Sequence, residues 1–118
     1  MAKIAIVVFS DTTTMEALGK VSNALTLALE SLEHEDNLKI IFEGAGTKWI
    51  GELEQEDHKM HGLYKMVKEH ITGACSYCAQ AFGVKNQIVQ AGIPLLSEFK
   101  DHPSLRNLIV EGYQIISV

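Results

Sequence analysis

The stretch of sequence that decides the fold is Gly73-Ala74-Cys75-Ser76-Tyr77-Cys78-Ala79-Gln80-Ala81-Phe82-Gly83. An amphipathic helical pattern ends just before it, and a short helical segment, residues 79–82, follows, so the stretch predicts a strand that turns into a helix. Gly83 can close this helix in the left-handed conformation. The stretch also contains both cysteines of the chain, Cys75 and Cys78, in a Cys-x-x-Cys spacing.

This position predicts thiol chemistry. The free N–H groups and the dipole of a helix N-terminus favour a thiolate, so we expect a lowered pKa at Cys75. In a strand–turn–helix Cys-x-x-Cys, the first cysteine is usually the exposed thiolate, and the second can resolve a mixed disulfide or displace a persulfide. We therefore predict that Cys75 is the nucleophile and that Cys78 supports it.

Two plainer interpretations of the cysteine pair stay open. In the first, both cysteines simply pack in the core as small hydrophobic residues, as free cysteines commonly do. A structural disulfide is the other interpretation, although closing so short a loop would restrain little chain entropy.

Strands alternate with helices on either side of this stretch. A short, continuous β-branched run predicts a buried strand at residues 3–9, and further strands are predicted at residues 38–42, 72–75, 92–96 and 113–118. The patterns between them predict helices at about residues 13–32, 58–71, 84–91 and 103–112. This alternation indicates a single α/β domain over residues 1–118, with a parallel sheet and helices on both faces.

Apolar stripes predict which helix residues face the core. A capping box formed by Thr13 and Glu16 is predicted to begin the first helix. The predicted inward residues are Met15, Leu18, Val21, Leu25, Leu29 and Leu32 on the first helix, Met60, Leu63, Tyr64, Val67 and Ile71 on the second, and Leu105, Leu108 and Ile109 on the last.

The composition indicates an acidic globular domain. Of the 118 residues, 47 % are hydrophobic and 21 % are charged, with a formal net charge of −5. We therefore expect no nucleic-acid partner. The longest apolar run, residues 4–9, is too short to span a membrane and is not followed by a cleavage site, so we expect no membrane association and a reducing, cytoplasmic location.

Three loops are predicted to meet at the carboxyl ends of the strands, where ligands of parallel α/β sheets bind. These loops are residues 10–13, 43–47 and 75–78. The candidate binding residues are Ser10, Asp11, Thr12, Gly44, Gly46, Ser76 and Tyr77. A Gly-x-Gly without a following helix fingerprint is a weak signal, and a plain turn explains Gly44 and Gly46 equally well.

Several segments carry a resemblance to a known family. They are the opening strand Lys3–Val8, the run Phe42-Glu43-Gly44-Ala45-Gly46, Cys75-Ser76-Tyr77-Cys78 with Gly83-Val84, and the closing Gly112-Tyr113-Gln114-Ile115-Ile116. In their order and spacing the chain resembles the DsrE/DsrF-like family of small sulfur-relay proteins, which includes YchN and the TusBCD subunits. One departure is that Ala81-Phe82 occupy positions where the family often has basic residues.

The resemblance implies both a fold and an activity. The implied fold is a three-layer α/β/α arrangement with a five-stranded, mainly parallel sheet in flavodoxin-like order. Cys75 lies eight residues before Gly83, the position of the family's sulfur-accepting cysteine, so it is implied to carry sulfane sulfur as a persulfide. The implied partners are sulfur donor and acceptor proteins and further copies of the chain, as dimers, trimers or hexamers.

The same residues leave other functions open. A homo-oligomer is also predicted from Trp49, Ile50 and Phe99, which are large apolar residues at element ends. A non-catalytic oligomer that binds a small ligand or partner, and a dithiol oxidoreductase, are the two alternative functions. No cofactor is expected.

A metal site is the remaining alternative, although no metal is expected. Its ligands would be His58, His61, Cys75 and Cys78, which form a reversed Cys₂His₂ zinc pattern. The other three histidines, His34, His70 and His102, are interpreted as ordinary surface residues.

Overall fold

A computed structural model describes residues 1–118. The strands are β1 (Lys3–Val8), β2 (Asn37–Phe42), β3 (Ile71–Cys75), β4 (Leu95–Leu96) and β5 (Gln114–Ser117). The α-helices are α1 (Met15–Glu33), α2 (Trp49–Leu53), α3 (His61–Val67), α4 (Ser76–Ala81), α5 (Lys85–Gln90) and α6 (Leu105–Val110). Two 3₁₀ helices, Gly44–Lys48 and Lys68–His70, lead into α2 and β3.

All five strands are parallel and lie in the order β4-β3-β2-β1-β5. The predicted five-stranded, parallel three-layer fold is confirmed. The flavodoxin-like order was wrong in detail, because that order places the third strand beside the first, whereas here β5 occupies that position. The apolar pattern of a strand shows that it is buried, but it does not show which strand pairs with it.

The two faces of the sheet are covered unequally. Steps from β1 to β4 all move in one direction across the sheet, so right-handed crossovers place their helices on one face. Buried residues of α1 to α5 accordingly share one core with Ile6 and Phe42. The last step runs from one edge of the sheet to the other, and α6 packs on the opposite face, where Leu108 contacts Ala5 and Ile41.

The largest buried side chains lie on the heavily covered face, and they include Trp49. Trp49 and Ile50 were predicted to lie at an interface, but they are 1 % and 0 % exposed. The 3₁₀ helix Gly44–Lys48 turns the chain back over the sheet, which brings the start of α2 into the core. The indole Nε1 of Trp49 donates to the carbonyl oxygen of Ser10 at 2.8 Å, so this burial leaves no unpaired donor.

Several helix boundaries differ from the predictions. Thr14, not Thr13, caps α1 and accepts a hydrogen bond from the N–H of Ala17 at 3.0 Å, and this places Met15 outside the core. The predicted helix 58–71 is shorter, because His61–Val67 is followed by a 3₁₀ turn and Ile71 already belongs to β3. Helix α6 begins only at Leu105, so Ile109 points to solvent and is 63 % exposed.

The inner face of α3 agrees with its predicted stripe. Tyr64 and Val67 are both 0 % exposed. The hydroxyl of Tyr64 donates to Glu54 Oε2 at 2.5 Å, and Lys68 Nζ lies 2.7 Å from the same oxygen. No helix of the structure combines the length and the apolar character that crossing a membrane requires.

Replacing Val67 by Asp should destabilise the protein by at least ~2 kcal/mol, because the change buries an unpaired charge. Met66→Asp is the matched control, since Met66 is the neighbouring residue and is 61 % exposed. Urea unfolding should show a lower midpoint for Val67→Asp and a midpoint near that of the wild type for Met66→Asp. Equal midpoints for the two variants would contradict the assigned inner face of α3.

Candidate functional site

Strand β3 turns directly into α4 at Cys75. This residue has the non-helical dihedral angles φ −59° and ψ 122°, and it is the N-cap of α4. Its Sγ accepts a hydrogen bond from the N–H of Cys78 at 3.3 Å, the bond that a Ser or Asp side chain commonly makes at this position. The predicted strand-to-helix turn is confirmed, with the helix starting at Ser76 rather than Ala79. Gly83, which has a φ of +70°, closes the turn that follows α4.

Four side chains converge at this turn. One ligand-type atom from each of Glu43, Cys75, Cys78 and His102 lies within 4.8 Å of each of the others. His102 Nδ1 is 3.1 Å from Cys75 Sγ and 3.9 Å from Glu43 Oε1. Both cysteines are free.

Glu43 reaches the cluster through the register of the sheet. Phe42 pairs with Ala74, so the next residues of the two strands, Glu43 and Cys75, leave the sheet side by side. Glu43 is only 7 % exposed. It directly follows β2, so the rule that parallel sheets carry function at their carboxyl edge would have selected it from the sequence.

His102 reaches the cluster through a tight turn after β4. Phe99 and His102 exchange two backbone hydrogen bonds of 2.8 Å, and the two residues between them have positive φ, 49° at Lys100 and 66° at Asp101. The carbonyl oxygen of Asp101 accepts a hydrogen bond from the N–H of Tyr77 at 2.9 Å, which fixes the turn to the start of α4. Such left-handed conformations are costly for residues other than glycine.

His102 was predicted to be an ordinary surface residue, and this was wrong. Its ring stacks on that of Tyr77, with the ring centroids 5.0 Å apart and the planes at 29°. The predicted helix start at Asp101-His102-Pro103 concealed this role, because the helix begins after Ser104 and the histidine belongs to the turn. The sequence could still have indicated this role, because His102 follows a predicted strand and so lies near the carboxyl edge of the sheet.

The burial of the two thiols is the reverse of the prediction. Cys75 is 0 % exposed, whereas Cys78 is half-buried. Burial raises the pKa of the Cys75 thiol to about 12, although the N–H of Cys78 acts in the opposite direction, and nearby Glu43 adds to the increase. The expected lowering of this pKa was therefore wrong, because desolvation outweighs the helix N-terminus. A nucleophilic role for Cys75 would therefore require a neighbouring group that takes its proton, and His102 Nδ1 lies 3.1 Å from its Sγ.

Burial also raises the pKa of the Glu43 carboxyl, while His102 and the hydrogen bond with Cys75 act against that increase. His102 Nδ1 lies 3.9 Å from Glu43 Oε1, so a protonated His102 would form an ion pair with this carboxylate. The cluster thus combines one buried carboxyl group, two thiols and one imidazole in a partly dehydrated space.

Three of the candidate binding residues, Ser10, Asp11 and Thr12, make structural hydrogen bonds in the loop after β1. Asp11 Oδ1 accepts hydrogen bonds from Lys48 Nζ at 2.7 Å and from the N–H of Thr12 at 2.6 Å, and the bond from Lys48 lowers the pKa of the Asp11 carboxyl. The carbonyl oxygen of Ser10 is paired with Trp49. These residues therefore anchor the loop after β1 to α2, and none of them belongs to the thiol cluster.

Gly44 and Gly46 allow the backbone conformation and the close packing of the 3₁₀ helix that begins after Glu43. Gly44 has a φ of +57°. A Cβ atom at Gly46 would lie 2.1 Å from the carbonyl oxygen of Val8, so this glycine lets the 3₁₀ helix pack against the end of β1. Ser76 and Tyr77 form the first turn of α4, and Tyr77 is 51 % exposed beside the cluster.

The predicted Cys₂His₂ set is not assembled. His61 Nδ1 is 2.7 Å from the carbonyl oxygen of Leu53, and His58 Nδ1 accepts a hydrogen bond from the N–H of Met60 at 3.1 Å. The ring of His58 contacts the edge of Trp49. Neither histidine belongs to the group of ligand atoms around Cys75 and Cys78.

The fold and site define a small parallel α/β protein with two thiols at the carboxyl edge of its sheet. The model of the DsrE/DsrF-like family matches residues 3–118, and the chain belongs to this family. It is 32 % identical over 96 residues to the uncharacterized protein MJ0733 of Methanocaldococcus jannaschii. The aligned region covers 81 % of this chain and 78 % of MJ0733.

A solved structure supports the same architecture. The conserved protein of unknown function BT1422 from Bacteroides thetaiotaomicron superimposes with a TM-score of 0.66, covering 97 % of this chain and 94 % of that one. At 22 % sequence identity this likeness establishes the fold alone.

Gly46→Ala should destabilise the protein by about 1–3 kcal/mol or more, since the added methyl group overlaps the backbone of β1. Gly19→Ala is the control, because a Cβ atom there meets nothing within 4 Å and alanine is favoured over glycine in a helix by about 0.5–1 kcal/mol. Denaturant unfolding should therefore move the two midpoints in opposite directions. A neutral Gly46→Ala would contradict the close packing of the 3₁₀ helix against the end of β1.

Proposed function

We propose that this protein is a cytoplasmic sulfur carrier that accepts sulfane sulfur as a persulfide on Cys75, with Cys78 as the second thiol. The observation that carries the proposal is the position of Cys75 Sγ. It lies 3.1 Å from His102 Nδ1 and 3.3 Å from the backbone nitrogen of Cys78, in a chain of the DsrE/DsrF-like family.

The neighbours of Cys75 are suited to each step of the transfer. His102 Nδ1 takes the thiol proton, and the Cys75 thiolate attacks the outer sulfur of a donor persulfide. The sulfur–sulfur bond of the donor breaks while a new one forms at Cys75, and the donor leaves as a thiol once it receives the proton. The transferred sulfur keeps its oxidation state, so no separate oxidant or reductant is required.

The Cys75 persulfide can then give its own proton to His102, and the persulfide anion that results has two sources of stabilisation. The N–H of Cys78 points at Cys75 Sγ from the first turn of α4. A proton on His102 would place a positive charge between the sulfur and the Glu43 carboxylate, whose oxygen is 3.9 Å from Nδ1. The repulsion between the two anions is then offset within the cluster.

Cys78 is placed to control release. It is the more exposed of the two thiols, and its sulfur is within 4.8 Å of the other ligand atoms of the cluster. Its thiolate can attack Cys75 Sγ of the persulfide, which expels hydrogen sulfide and leaves a Cys75–Cys78 disulfide. An acceptor thiolate that attacks the outer sulfur instead takes the sulfur and regenerates the Cys75 thiol.

The short separation of the two sulfurs also favours a second candidate function, dithiol–disulfide exchange with a disulfide substrate. This reaction would reduce the substrate to two thiols and oxidise Cys75 and Cys78 to a disulfide. A mass change separates the two functions, because sulfur loading adds mass and disulfide formation removes two hydrogens.

Intact-mass spectrometry of the reduced protein treated with a low-molecular-weight persulfide should show an increase of about 32 Da for one sulfur atom. Cys75→Ser should abolish this adduct, because it removes the accepting sulfur. Cys78→Ser is the matched control, and it should retain the adduct or prolong its life because the resolving thiol is gone. His102→Gln should load at least ~10²-fold more slowly, as expected when a proton acceptor is lost.

Sulfur uptake by Cys75→Ser but not by Cys78→Ser would reverse the two roles. A loss of about 2 Da in the wild type, with no gain in either variant, would favour dithiol exchange. No change with any donor would favour a non-catalytic module that binds a small ligand or partner.

We further propose that the protein is a homo-oligomer. Support comes from Phe99, which is 63 % exposed, and from Ile109 and Val110 on the outer surface of α6, which are 63 % and 66 % exposed. Sedimentation at micromolar concentration should give a species larger than the 13.0 kDa chain. Ile109→Lys with Val110→Lys should dissociate it, while Val89→Lys, at a residue 56 % exposed on α5, should not. A 13.0 kDa wild type would contradict this proposal.

A further inference from the structure

We propose that Glu43, Cys75, Cys78 and His102 together bind a thiophilic divalent metal ion of the zinc type. This is a metal site with the donor set S, S, N and O, and it differs from the Cys₂His₂ set predicted from the sequence. It does not rest on the proposed sulfur transfer, since the ion requires only the four side chains as they stand.

The distances suit a tetrahedral ion. Zinc binds thiolate sulfur at about 2.3 Å and imidazole nitrogen or carboxylate oxygen at about 2.0–2.2 Å, so its ligand atoms lie roughly 3.3–3.8 Å from one another. The four atoms here are already within 4.8 Å of one another. Side-chain rotations that shorten the longest separation by about 1–1.5 Å, and widen the 3.1 Å separation of Cys75 Sγ and His102 Nδ1 slightly, would close the site around the ion.

The chemistry of the donors selects the class of ion. Two thiolates and an imidazole favour zinc and similar soft or borderline metals, whereas magnesium and calcium prefer sites made of oxygen atoms. Thiols release their protons when they bind such an ion, so the two cysteines would contribute two negative charges. Glu43 would contribute a third, His102 would bind as a neutral imidazole, and the divalent ion would neutralise two of the three negative charges.

The backbone holds the ligands in place without the ion. Glu43 and Cys75 leave neighbouring strands side by side, and Cys78 follows on the first turn of α4. The turn that presents His102 is hydrogen-bonded to the N–H of Tyr77, and the Tyr77 ring stacks on the imidazole. The N–H of Cys78 already donates to Cys75 Sγ, the kind of outer contact that orients a metal ligand.

Metal binding and sulfur transfer would exclude each other, because both use the sulfur atoms of Cys75 and Cys78. The metal-bound form would hold the thiols as ligands and keep them from a sulfur donor. Removal of the ion would free both thiols to react with a sulfur donor again.

The test uses the full chain, stripped of metal with a chelator, reduced, and kept free of any sulfur donor. Titration with Co²⁺ should saturate at one ion per chain and produce the sulfur-to-metal charge-transfer band and the intense visible bands of a tetrahedral thiolate site. Zn²⁺ should displace the Co²⁺ and abolish these bands. In competition with a zinc indicator, Glu43→Gln and His102→Ala should each weaken Zn²⁺ binding at least tenfold. Cys75→Ser and Cys78→Ser should each weaken the charge-transfer band, because one thiolate remains, and the double variant should remove it.

His58→Gln is the control and should bind as the wild type does, because His58 lies outside the cluster. Glu43→Gln keeps the shape of the side chain, so it tests the site even if a cysteine variant fails to fold, and circular dichroism checks that each variant is folded. No saturable Co²⁺ or Zn²⁺ binding by the wild type would overturn the proposal. Binding without the charge-transfer band, or binding lost in His58→Gln and kept in Glu43→Gln, would overturn it as well. Because no sulfur donor is present, none of these outcomes decides whether Cys75 carries a persulfide.

Discussion

The site depends on the parallel register between β2 and β3. Phe42 pairs with Ala74, so Glu43 and Cys75 leave the sheet as neighbours at its carboxyl edge. Strand β4 pairs with β3 in the same direction and delivers the turn with His102 to that edge. A slip of one residue in this pairing would turn Cys75 toward the opposite face of the sheet and separate it from Glu43.

The unequal covering of the sheet explains why the site is firmly held. Helices α1 to α5 bury a continuous core on one face, and both Ala74, next to Cys75, and Ala79, on α4, belong to it. Gly73 lets β4 approach closely, since a Cβ atom there would lie 2.6 Å from the Leu96 side chain. The strand end and the helix start are therefore fixed by packing, and the turn at His102 is held to the helix start by the hydrogen bond from the N–H of Tyr77 to Asp101.

Burial and charge together define what this cluster can do. An isolated thiol at a helix N-terminus would ionise readily, but Cys75 is covered and lies beside the Glu43 carboxyl, so a positive charge must accompany its thiolate. His102 can provide that charge as a proton acceptor, and a divalent ion can provide it as a metal centre. Both proposals follow from the same requirement, and Cys78 is more exposed than Cys75.

The sequence by itself determined the local structure and the position of the thiol site. Apolar runs predicted the first two strands and the last, the chain turns from β3 into α4 at Cys75 as expected, and the carboxyl-edge rule placed both thiols at the carboxyl edge of the sheet. Only the tertiary structure decided the order of the strands, the burial of Trp49 and Ile50, the greater exposure of Cys78 than of Cys75, and the arrival of Glu43 and His102. Apolar periodicity reports the environment of each residue along its own element, whereas these features depend on strand pairing, on the direction of each crossover and on a turn stabilised by Tyr77, which join residues far apart in the chain.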